Sequence, residues 1–264
     1  MLQQLQVEKT IPFNCGGLRF RQTENKELLV SVVCVTYNAA KTLPALIKSV
    51  RDNKASNVEF VIIDGESTDC TIDILRQNEG VIDFWISKPD NGIYDAMNRS
   101  LSYIKGQWVI FLGADDLLLD GFNKMISLLK DRGTLYYGDL LFYGKEFQKV
   151  YDDYYLTKLN FCHQAIFYPR SVFAKYKYDL QYKVYADYHL NLRCWNDPGF
   201  NFVHSGNFVS NFAEGGFSST TRDMVFEKDR EMLFKRYLKP ASYYRYLNRT
   251  SGFFKMLISF IQNK

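Results

Sequence analysis

The chain has 264 residues, of which 47% are hydrophobic and 16% aromatic, and its formal net charge is +4 at neutral pH. This composition excludes a disordered or fibrous protein and fits one large globular domain, with or without an appendage. No run of about 18 uncharged apolar residues occurs, and the N-terminus lacks the basic and then apolar order of a secretory signal. The sequence therefore predicts a cytoplasmic protein.

The cysteines are few and far apart in the sequence. They are odd in number, and they stand at Cys15, Cys34, Cys70, Cys162 and Cys194. This spacing fits neither a disulfide framework nor a cysteine zinc site. We predict reduced thiols, most of them buried.

The N-terminal 27 residues show no sustained hydrophobic period and are predicted to form an N-terminal extension. From Leu28 onward the pattern becomes regular. LLVSVVCVTYN is β-branched and almost entirely apolar, which is typical of a strand buried on both faces. The next segment, AAKTLPALIKSVRDN, predicts a helix whose buried face consists of Leu43, Leu46, Ile47 and Val50.

Strand-like and helix-like segments then alternate through residue 132. VEFVIIDG, IDFWISKPD and QWVIFLGADD predict strands, and they are followed in turn by the predicted helices CTIDILRQN, IYDAMNRSLSYI and GFNKMISLLKDR. This alternation implies right-handed crossovers and a mainly parallel sheet covered on both faces. We therefore predict that residues 28–132 form a nucleotide-binding α/β half, with its ligand beyond the carboxyl ends of the strands.

Residues 133–222 have a different pattern, which predicts a mixed second half that completes the sheet and walls the ligand crevice. TLYYGDLLFYGKEFQKVY predicts a hairpin that turns at Gly144 and Lys145, FCHQAIFY a strand, and YADYHLNLRCW a helix. NFVHSGNFVSNF predicts strands that end at Gly215 and Gly216. The segment EGGFSS is either a loop that closes over the ligands or an ordinary glycine-rich turn.

The chain from residue 223 to 264 predicts a basic, helical tail. STTRDMVFEKDREMLFKRYL predicts a charged helix at the start of this tail. No acid occurs after Glu231, whereas the basic residues after that position are Lys235, Arg236, Lys239, Arg245, Arg249, Lys255 and Lys264. Cations interleaved with aromatic and aliphatic residues are typical of a helix on an anionic membrane surface. The alternative is a helix packed on the body of the protein with its basic face in water.

Asp115 and Asp116 follow an apolar strand in FLGADD. Because successive side chains of an extended chain point to opposite sides, we expect one carboxylate to face the ligand and the other to brace the loop. Mg²⁺ and Mn²⁺ commonly need only one or two protein carboxylates when a substrate diphosphate supplies further oxygens. A helix N-cap is the alternative role for either residue.

Two other polar clusters follow predicted strands. Asp64 in IIDGESTDCT ends an apolar strand, where its carboxylate can accept from an N–H of a base, although Ser67, Thr68 and Asp69 would also serve as helix N-caps. KPDNGIYDAMN places a cation, an acid and a glycine turn before a helix N-terminus, which is a favourable place for a diphosphate. Taken alone, this segment is equally well explained as a turn.

Taken together and in this order, VSVVCVTYNA, VEFVIIDGESTDCT, SKPDNGIYDAMNRSL and GQWVIFLGADD resemble the signatures of family 2 glycosyltransferases, with the GT-A fold. The resemblance is strongest over residues 28–120. HQAIFY, YADYHLNLR and EGGFSS resemble landmarks of the bacterial enzymes that build exopolysaccharide or O-antigen repeats. The resemblance implies an α/β, GT-A fold: a mainly parallel, Rossmann-like sheet flanked by helices, a mixed acceptor-side half and C-terminal helices.

The resemblance also implies a nucleotide-sugar site formed by Thr36, Tyr37, Asn38, Asp64, Lys88, Asp90 and Asp116. The first three would line the nucleotide, and Asp64 would bind the base. Lys88 and Asp90 would contact the diphosphate or the donor sugar.

Asp115 would be the acid that reaches a divalent cation, Mn²⁺ or Mg²⁺, with Asp116 ordering the loop. The family often has Asp-x-Asp-Asp at this point, whereas this chain has Gly113 in place of the first acid. The missing carboxylate affects the expected contacts to the ribose more than it affects metal binding.

The catalytic base implied by the resemblance is Asp187 in YADYHLNLR, for which a helix N-terminal acid favoured by the dipole is the alternative role. His163 in HQAIFY would contact the acceptor, with a satisfied core histidine as its alternative. An inverting transfer needs such a base opposite the leaving group, by analogy with inverting hydrolases.

The predicted activity is metal-dependent, inverting transfer of a hexose or hexosamine from a nucleotide sugar, with a UDP-sugar as first choice, to a glycan or lipid-linked acceptor. Its expected role is cell-surface polysaccharide biosynthesis, either in the cytoplasm or at the inner face of the cell membrane, and no nucleic-acid partner is expected. The alternatives are a sugar nucleotidylyltransferase, although TYNAAKT lacks the glycine-rich basic loop of those enzymes, and a non-catalytic nucleotide-binding protein. A dehydrogenase is disfavoured because no G-x-G-x-x-G follows the first strand.

Overall fold

The computed structural model describes residues 14–21, 27–213 and 221–250. The predicted EGGFSS loop, the tail after residue 250, and parts of the predicted extension, residues 1–13 and 22–26, lie outside these ranges. The strands are β1 (Cys15–Gly16), β2 (Val30–Thr36), β3 (Val58–Asp64), β4 (Phe84–Ser87), β5 (Trp108–Gly113), β6 (Leu117–Leu118), β7 (Thr134–Phe142), β8 (Lys145–Phe147), β9 (Ile166–Pro169) and β10 (Asn201–Phe212). The helices are α1 (Leu43–Asn53), α2 (Thr71–Gln77), α3 (Ile93–Ser100), α4 (Gly121–Ile126), α5 (Arg170–Lys175), α6 (Ala186–Asn196), α7 (Met224–Tyr237) and α8 (Pro240–Thr250).

The strands form one mixed sheet in the order β1-β4-β3-β2-β5-β9-β7-β10-β6, and β8 pairs with β7. Strands β4, β3, β2 and β5 are neighbours in this order and are all parallel to one another. Strand β9 is antiparallel to both β5 and β7. Because β10 is parallel to β7, the carboxyl ends of all six long parallel strands lie at one edge of the sheet. The predicted mainly parallel first half and mixed second half are confirmed.

Strand β2 supplies side chains to two separate hydrophobic layers. Val33 and Val35 pack in the layer that also contains residues of α3 and α6, whereas Val32 and Cys34 pack in the layer that contains residues of α1, α2 and α4. A strand covered on both faces needs an apolar side chain at almost every position, which explains its uninterrupted hydrophobic sequence. The predicted inner face of α1 is confirmed, since all of its members are buried: Leu43, Leu46, Ile47 and Val50.

The described residues of the predicted extension contact the edge of the sheet. Cys15 and Gly16 pair antiparallel with β4. Arg19 forms an ion pair with Glu59, a fully buried residue that also accepts from the Ser31 hydroxyl. Because a buried carboxylate is stable only when it is paired and hydrogen-bonded, Arg19 stabilises this edge of the sheet.

The hairpin between β7 and β8 turns one residue earlier than predicted. Phe142 pairs with Lys145, so the two turn residues are Tyr143 and Gly144 rather than Gly144 and Lys145. Their φ angles are 55° and 72°, the left-handed values that a tight two-residue hairpin requires at both positions. Glycine at one position located the turn approximately, but the tyrosine beside it gives no turn signal.

Other departures from the prediction lie in the second half. In FCHQAIFY, only the end forms a strand, β9, and His163 lies in the turn before it. Helix α5 and the two-residue strand β6 were not predicted. Both are short and depend on tertiary contacts, and such elements have weak sequence signals.

The predicted helical tail is confirmed within the described residues as α7 and α8. Helix α7 is capped by Asp223, which accepts from the Phe226 N–H at 3.1 Å. Helix α8 packs on the protein: the Arg245 guanidinium lies 3.7 Å from the centre of the Tyr154 ring, and Arg249 donates to the Thr157 carbonyl oxygen. Among the helices that are described, none has the length and hydrophobicity needed to span a bilayer.

Candidate functional site

A cavity of about 660 Å³ opens at the carboxyl edge of the sheet, between the ends of β2 and β5 and the turn before α3. Its position agrees with the ligand crevice expected for a parallel α/β sheet. The predicted site residues in its lining are Thr36, Tyr37, Asn38, Asp90 and Asp115. The structure thus brings together predicted residues from three separate segments of the sequence.

Thr36 and Tyr37 offer two different kinds of ligand contact. Thr36 is 6% exposed, and its hydroxyl oxygen is buried without a hydrogen-bond partner in the described part of the chain. A buried hydroxyl without a partner is unfavourable, and a ligand in the adjoining cavity would satisfy it. Tyr37 is 63% exposed, so its ring is free to stack on a flat group such as a base.

Asn38 shapes the loop that follows β2. Its φ angle is 51°, in the left-handed region that asparagine tolerates better than most residues. Its N–H donates to the Ser67 hydroxyl at 2.7 Å, and its side-chain oxygen accepts from the Thr68 N–H at 2.8 Å. Asp69 similarly accepts from the Ala40 N–H, so the polar residues after β2 and β3 hold their two loops together.

Asp64 is completely buried beside the cavity and is not part of its lining. One carboxylate oxygen accepts from the Ser67 N–H at 2.9 Å and from the Ser87 hydroxyl at 2.7 Å, and the other accepts from the Ser67 hydroxyl. A carboxylate has about four lone pairs, so one acceptor position remains for a further donor. In the structure described, Asp64 orders the loop after β3.

Asp90 and Lys88 lie in the turn before α3. Asp90 accepts from the Gly92 N–H at 2.8 Å, and its other oxygen lies so close to Gly65 that a Cβ at that position would be 2.6 Å away. Lys88 is exposed. Lys88 is not among the residues that line the cavity, whereas another cation, Lys183, is. Sequence reasoning missed Lys183, which stands in no motif and is brought to the cavity by tertiary structure.

The two acids of FLGADD have different surroundings. Asp116 is 1% exposed and accepts from the N–H groups of Gly113, at 2.7 Å, and Ala213, at 3.3 Å. Asp115 lines the cavity and makes no hydrogen bond or ion pair with the rest of residues 14–21, 27–213 and 221–250. A Cβ at position 113 would lie 2.7 Å from Asp115 Oδ1 and 3.0 Å from Asp116 Oδ2, so glycine provides the space for both carboxylates.

Burial, together with the neighbouring charge of Asp115, raises the pKa of Asp116 from its ordinary 3.8 to about 6. The N–H groups of Gly113 and Ala213 and the charge of His163 act in the opposite direction. Since the folded protein holds this proton more tightly than the unfolded chain does, the contribution of Asp116 to stability is full below about pH 4 and is lost as the pH rises through about 6.

The Asp116→Asn variant is expected to lack this pH-dependent loss. Relative to the wild type, its free energy of unfolding should rise by at most about 3 kcal/mol between pH 4 and 7, because each pKa unit corresponds to about 1.4 kcal/mol. Urea unfolding of both proteins across this range measures the difference. A difference that stays constant with pH would show that Asp116 has an ordinary pKa.

Asp187 lies in the first turn of α6 and is 6% exposed. Its Oδ1 accepts from the Tyr188 N–H at 2.7 Å and lies 3.0 Å from the Tyr94 hydroxyl, and its Oδ2 lies 3.2 Å from His163 Nδ1. Burial and the charge of Asp187 raise the pKa of Tyr94 well above its ordinary value, so this phenol stays protonated. The structure therefore brings Asp187, which is buried, together with His163, which is partly buried, although neither is part of the cavity lining itself.

The contact between α3 and α6 connects this pair to the cavity. Tyr94 of α3 contacts Asp187, and the preceding residue, Ile93, lines the cavity. Sequence reasoning missed Tyr94. Its place beside the glycine turn of KPDNGIYDAMN was the available signal, because α3 begins there.

The acids present fit a cation shared with a substrate and do not fit a protein-only metal centre. In the part of the chain that the structure describes, no group of three or more His, Cys, Asp or Glu residues could hold a metal ion. Among the described residues, Asp115 alone offers an uncommitted carboxylate to the cavity. One carboxylate suffices for Mg²⁺ or Mn²⁺ when a diphosphate supplies the other oxygens.

Comparison with known proteins gives the family. Residues 31–200 match the family described as Glycosyl transferase family 2. A PGL/p-HBAD biosynthesis glycosyltransferase of Mycobacterium tuberculosis is 36% identical over 212 residues, which cover 76% of this chain and 83% of the relative.

Solved structures of two proteins have the same fold at low sequence identity. S. aureus TarS 1–349 in complex with UDP-GlcNAc superposes with a TM-score of 0.65 at 14% identity, covering 85% of this chain and 74% of that one. In a longer TarS structure, the match spans only 42% of that chain. Mannosyltransferase PcManGT from Pyrobaculum calidifontis, in complex with GDP-Man and Mn²⁺, superposes with a TM-score of 0.57 at 16% identity, covering 73% and 59% of the two chains.

The family match covers more than half of the chain, and the fold is that of the GT-A neighbours. The protein therefore belongs to glycosyl transferase family 2 and is a glycosyltransferase.

Proposed function

We propose that the protein transfers a hexose or hexosamine, with inversion, from a nucleotide sugar to a glycan or lipid-linked acceptor in cell-surface polysaccharide biosynthesis. The observation that carries this proposal is the contrast between two carboxylates near one sheet edge. Asp115 is uncommitted in the cavity, whereas Asp187 is buried and held by His163. Asp115 is suited to bind a cation that contacts the leaving diphosphate, and Asp187 is suited to act as the base that accepts the proton of an acceptor hydroxyl.

The nucleoside of the donor would occupy the cavity at the end of β2. Thr36 would donate or accept one hydrogen bond, Tyr37 would stack on the base, and Asn38 would shape the loop around it. Asp64 would use its remaining acceptor position for a base N–H. A UDP-sugar is the first choice, because S. aureus TarS, which shares the fold, binds UDP-GlcNAc.

The diphosphate would lie near the turn before α3 and the end of β5. Lys88 and Lys183 provide positive charge there, and Asp90 holds the turn in shape. Asp115 would hold Mn²⁺ or Mg²⁺, and PcManGT, of the same fold, contains Mn²⁺. When bound, such a cation stabilises the negative charge that develops on the leaving diphosphate.

Asp187 would act as the general base. In the transfer, the acceptor oxygen forms a bond to the anomeric carbon while the bond to the diphosphate oxygen breaks, and the acceptor proton passes to the Asp187 carboxylate. His163 and Tyr94 fix the orientation of this carboxylate. Inversion requires the base to lie on the face of the sugar opposite the leaving group.

The proposal is tested by thermal-shift measurements with UDP-, GDP- and dTDP-sugars, each with and without MnCl₂. We expect one nucleotide class to raise Tm, and to raise it further with manganese, because a ligand that binds only the folded state stabilises it. Stabilisation that is indifferent to the metal would contradict the role of Asp115. No stabilisation by any nucleotide sugar would contradict the donor site as a whole.

Peripheral contact with an anionic membrane, through the tail, is part of the proposal for a lipid-linked acceptor. The described helix α8 packs on the protein, but the exposed cations Lys235 and Lys239 precede it. Co-sedimentation with phosphatidylglycerol vesicles, compared with phosphatidylcholine vesicles, measures this contact. Equal binding to the two lipids would contradict an electrostatic attachment.

A further inference from the structure

Four aromatic side chains form a partly exposed surface at the β7–β8 hairpin, which we call the hairpin platform: Phe142, Tyr143, Phe147 and Phe212. Phe142 stacks on Phe212 with ring centres 5.2 Å apart and an interplanar angle of 10°, and it contacts Tyr143 at 4.2 Å. Phe142 and Tyr143 are 39% and 37% exposed. Clustered exposed rings commonly mark a binding surface in a soluble protein.

The platform stands beyond the edge of the sheet where the cavity opens. β9 lies between β5 and β7 and pairs with both of them. In this register Phe167 of β9 stands opposite Ile110 of β5 on one side and Tyr136 of β7 on the other, so Tyr136 and Ile110 are at the same height in the sheet. Phe142 therefore lies three residues farther out than Gly113, the last residue of β5, which is about 10 Å at the rise of a strand. The end of β7 therefore projects beyond the edge of the sheet at which the cavity opens.

The platform is also connected to the two segments that carry the proposed metal ligand Asp115 and His163, the partner of the proposed base. Tyr143 donates its N–H to the Phe212 carbonyl oxygen, and the next residue, Ala213, donates its N–H to Asp116. On the other side, Phe147 lines a narrow cleft together with Cys162, the residue before His163. The rings thus adjoin the Asp115–Asp116 loop and the turn that carries His163.

The backbone at Tyr143 gives an independent reason to assign a role to its ring. Its φ of 55° is left-handed, and the first position of such a turn favours asparagine, aspartate or glycine. A bulky side chain in this conformation costs about 1–2 kcal/mol. The turn alone does not explain the choice of tyrosine.

We infer that the hairpin platform binds a sugar ring of the acceptor, an inference that rests on the proposed transferase function. The C–H groups on one face of a pyranose carry slight positive charge and stack on the negative face of an aromatic ring, while the hydroxyl groups stay in water. The platform lies past the donor cavity and adjoins the turn that carries His163, the partner of Asp187, so an acceptor that reaches Asp187 from this side would pass over the rings. The exposed charges beside the rings, Lys145, Glu146 and Lys149, are of both signs and therefore do not select an anionic membrane as the partner.

The test uses Tyr143→Asn, which removes the ring but suits the left-handed turn. We expect this variant to be at least as stable as the wild type, so that a functional loss is not caused by unfolding. With the donor identified by thermal shift, transfer to methyl glycosides of glucose, N-acetylglucosamine and rhamnose is measured. For the methyl glycosides that are used, the acceptor KM should rise about tenfold in Tyr143→Asn and stay near wild type in Tyr143→Phe.

Hydrolysis of the donor without acceptor separates this inference from the proposed function. Its rate should be unchanged in Tyr143→Asn, because the donor cavity does not include the platform. Val150→Asn, which alters an exposed apolar residue after the hairpin, is the control and should leave the acceptor KM unchanged. Failure of the wild type to bind or hydrolyse any nucleotide sugar would contradict the proposed function itself.

Three results would overturn the inference while leaving donor chemistry intact. The first is an unchanged acceptor KM in Tyr143→Asn, and the second is a wild-type enzyme that hydrolyses the donor but uses none of the methyl glycosides. The third is a loss of binding to phosphatidylglycerol vesicles in Tyr143→Asn without any change in acceptor KM, which would assign the platform to a membrane.

Discussion

Replacing Asp187 with asparagine is expected to lower kcat for sugar transfer by about 10³-fold while leaving the affinity for the nucleotide sugar unchanged. Asparagine has nearly the same shape, and its oxygen can still accept from Tyr94 and Tyr188. It cannot take a proton from an acceptor hydroxyl. The fold and the donor cavity should therefore survive, and only the proton transfer should be lost.

Steady-state transfer rates, together with donor affinity from thermal shift, measure this effect. Asp73→Asn is a matched control, because Asp73 is also an acid in the first turn of a helix but lies on the exposed surface of α2. It should transfer at the wild-type rate. An Asp187→Asn enzyme that retains full activity would remove Asp187 from the role of base.

In the Asp115→Asn variant, the donor should still raise Tm, but manganese should no longer increase this rise. The kcat/KM for transfer should fall by about 10²-fold. A neutral amide is a much weaker ligand for a hard divalent cation than a carboxylate. Because Asp115 makes no hydrogen bond with the described residues, its replacement should leave the Tm of the ligand-free protein near the wild-type value.

Asp120→Asn provides the control for this loop. Asp120 is exposed, lies five residues after Asp115, and makes no side-chain cap to α4. Its replacement should alter neither manganese dependence nor activity. If Asp115→Asn shows the same manganese response as the wild type, the cation must bind elsewhere or play no part.

The α/β fold was predictable from local patterns because its long strands are buried on both faces and alternate with amphipathic helices. β2 and α1 illustrate this, since each has a period that burial alone dictates. Parallel strands then place their carboxyl ends at one edge, so that the residues after β2 and β5 were expected to lie together. The cavity that contains Thr36 and Asp115 agrees with that expectation.

Other parts of the site depend on contacts between distant residues and could not be read from local patterns. His163 and Asp187 are 24 residues apart, and their contact depends on how α6 packs against the turn before β9. Lys183 reaches the cavity from a segment without a regular period. The bonds from Ser67 and Ser87 to Asp64 are likewise visible only in the folded chain.

The sheet order has a practical consequence for engineering this enzyme. β5, in the first half of the chain, pairs with β9 in the second half, and β6 of the first half pairs with β10 of the second. A fragment cut at residue 132 would therefore expose two unpaired strand edges and be prone to aggregate. Chimeras between relatives should keep β5, β6, β9 and β10 from one parent, because these strands pair with one another across the boundary between the halves.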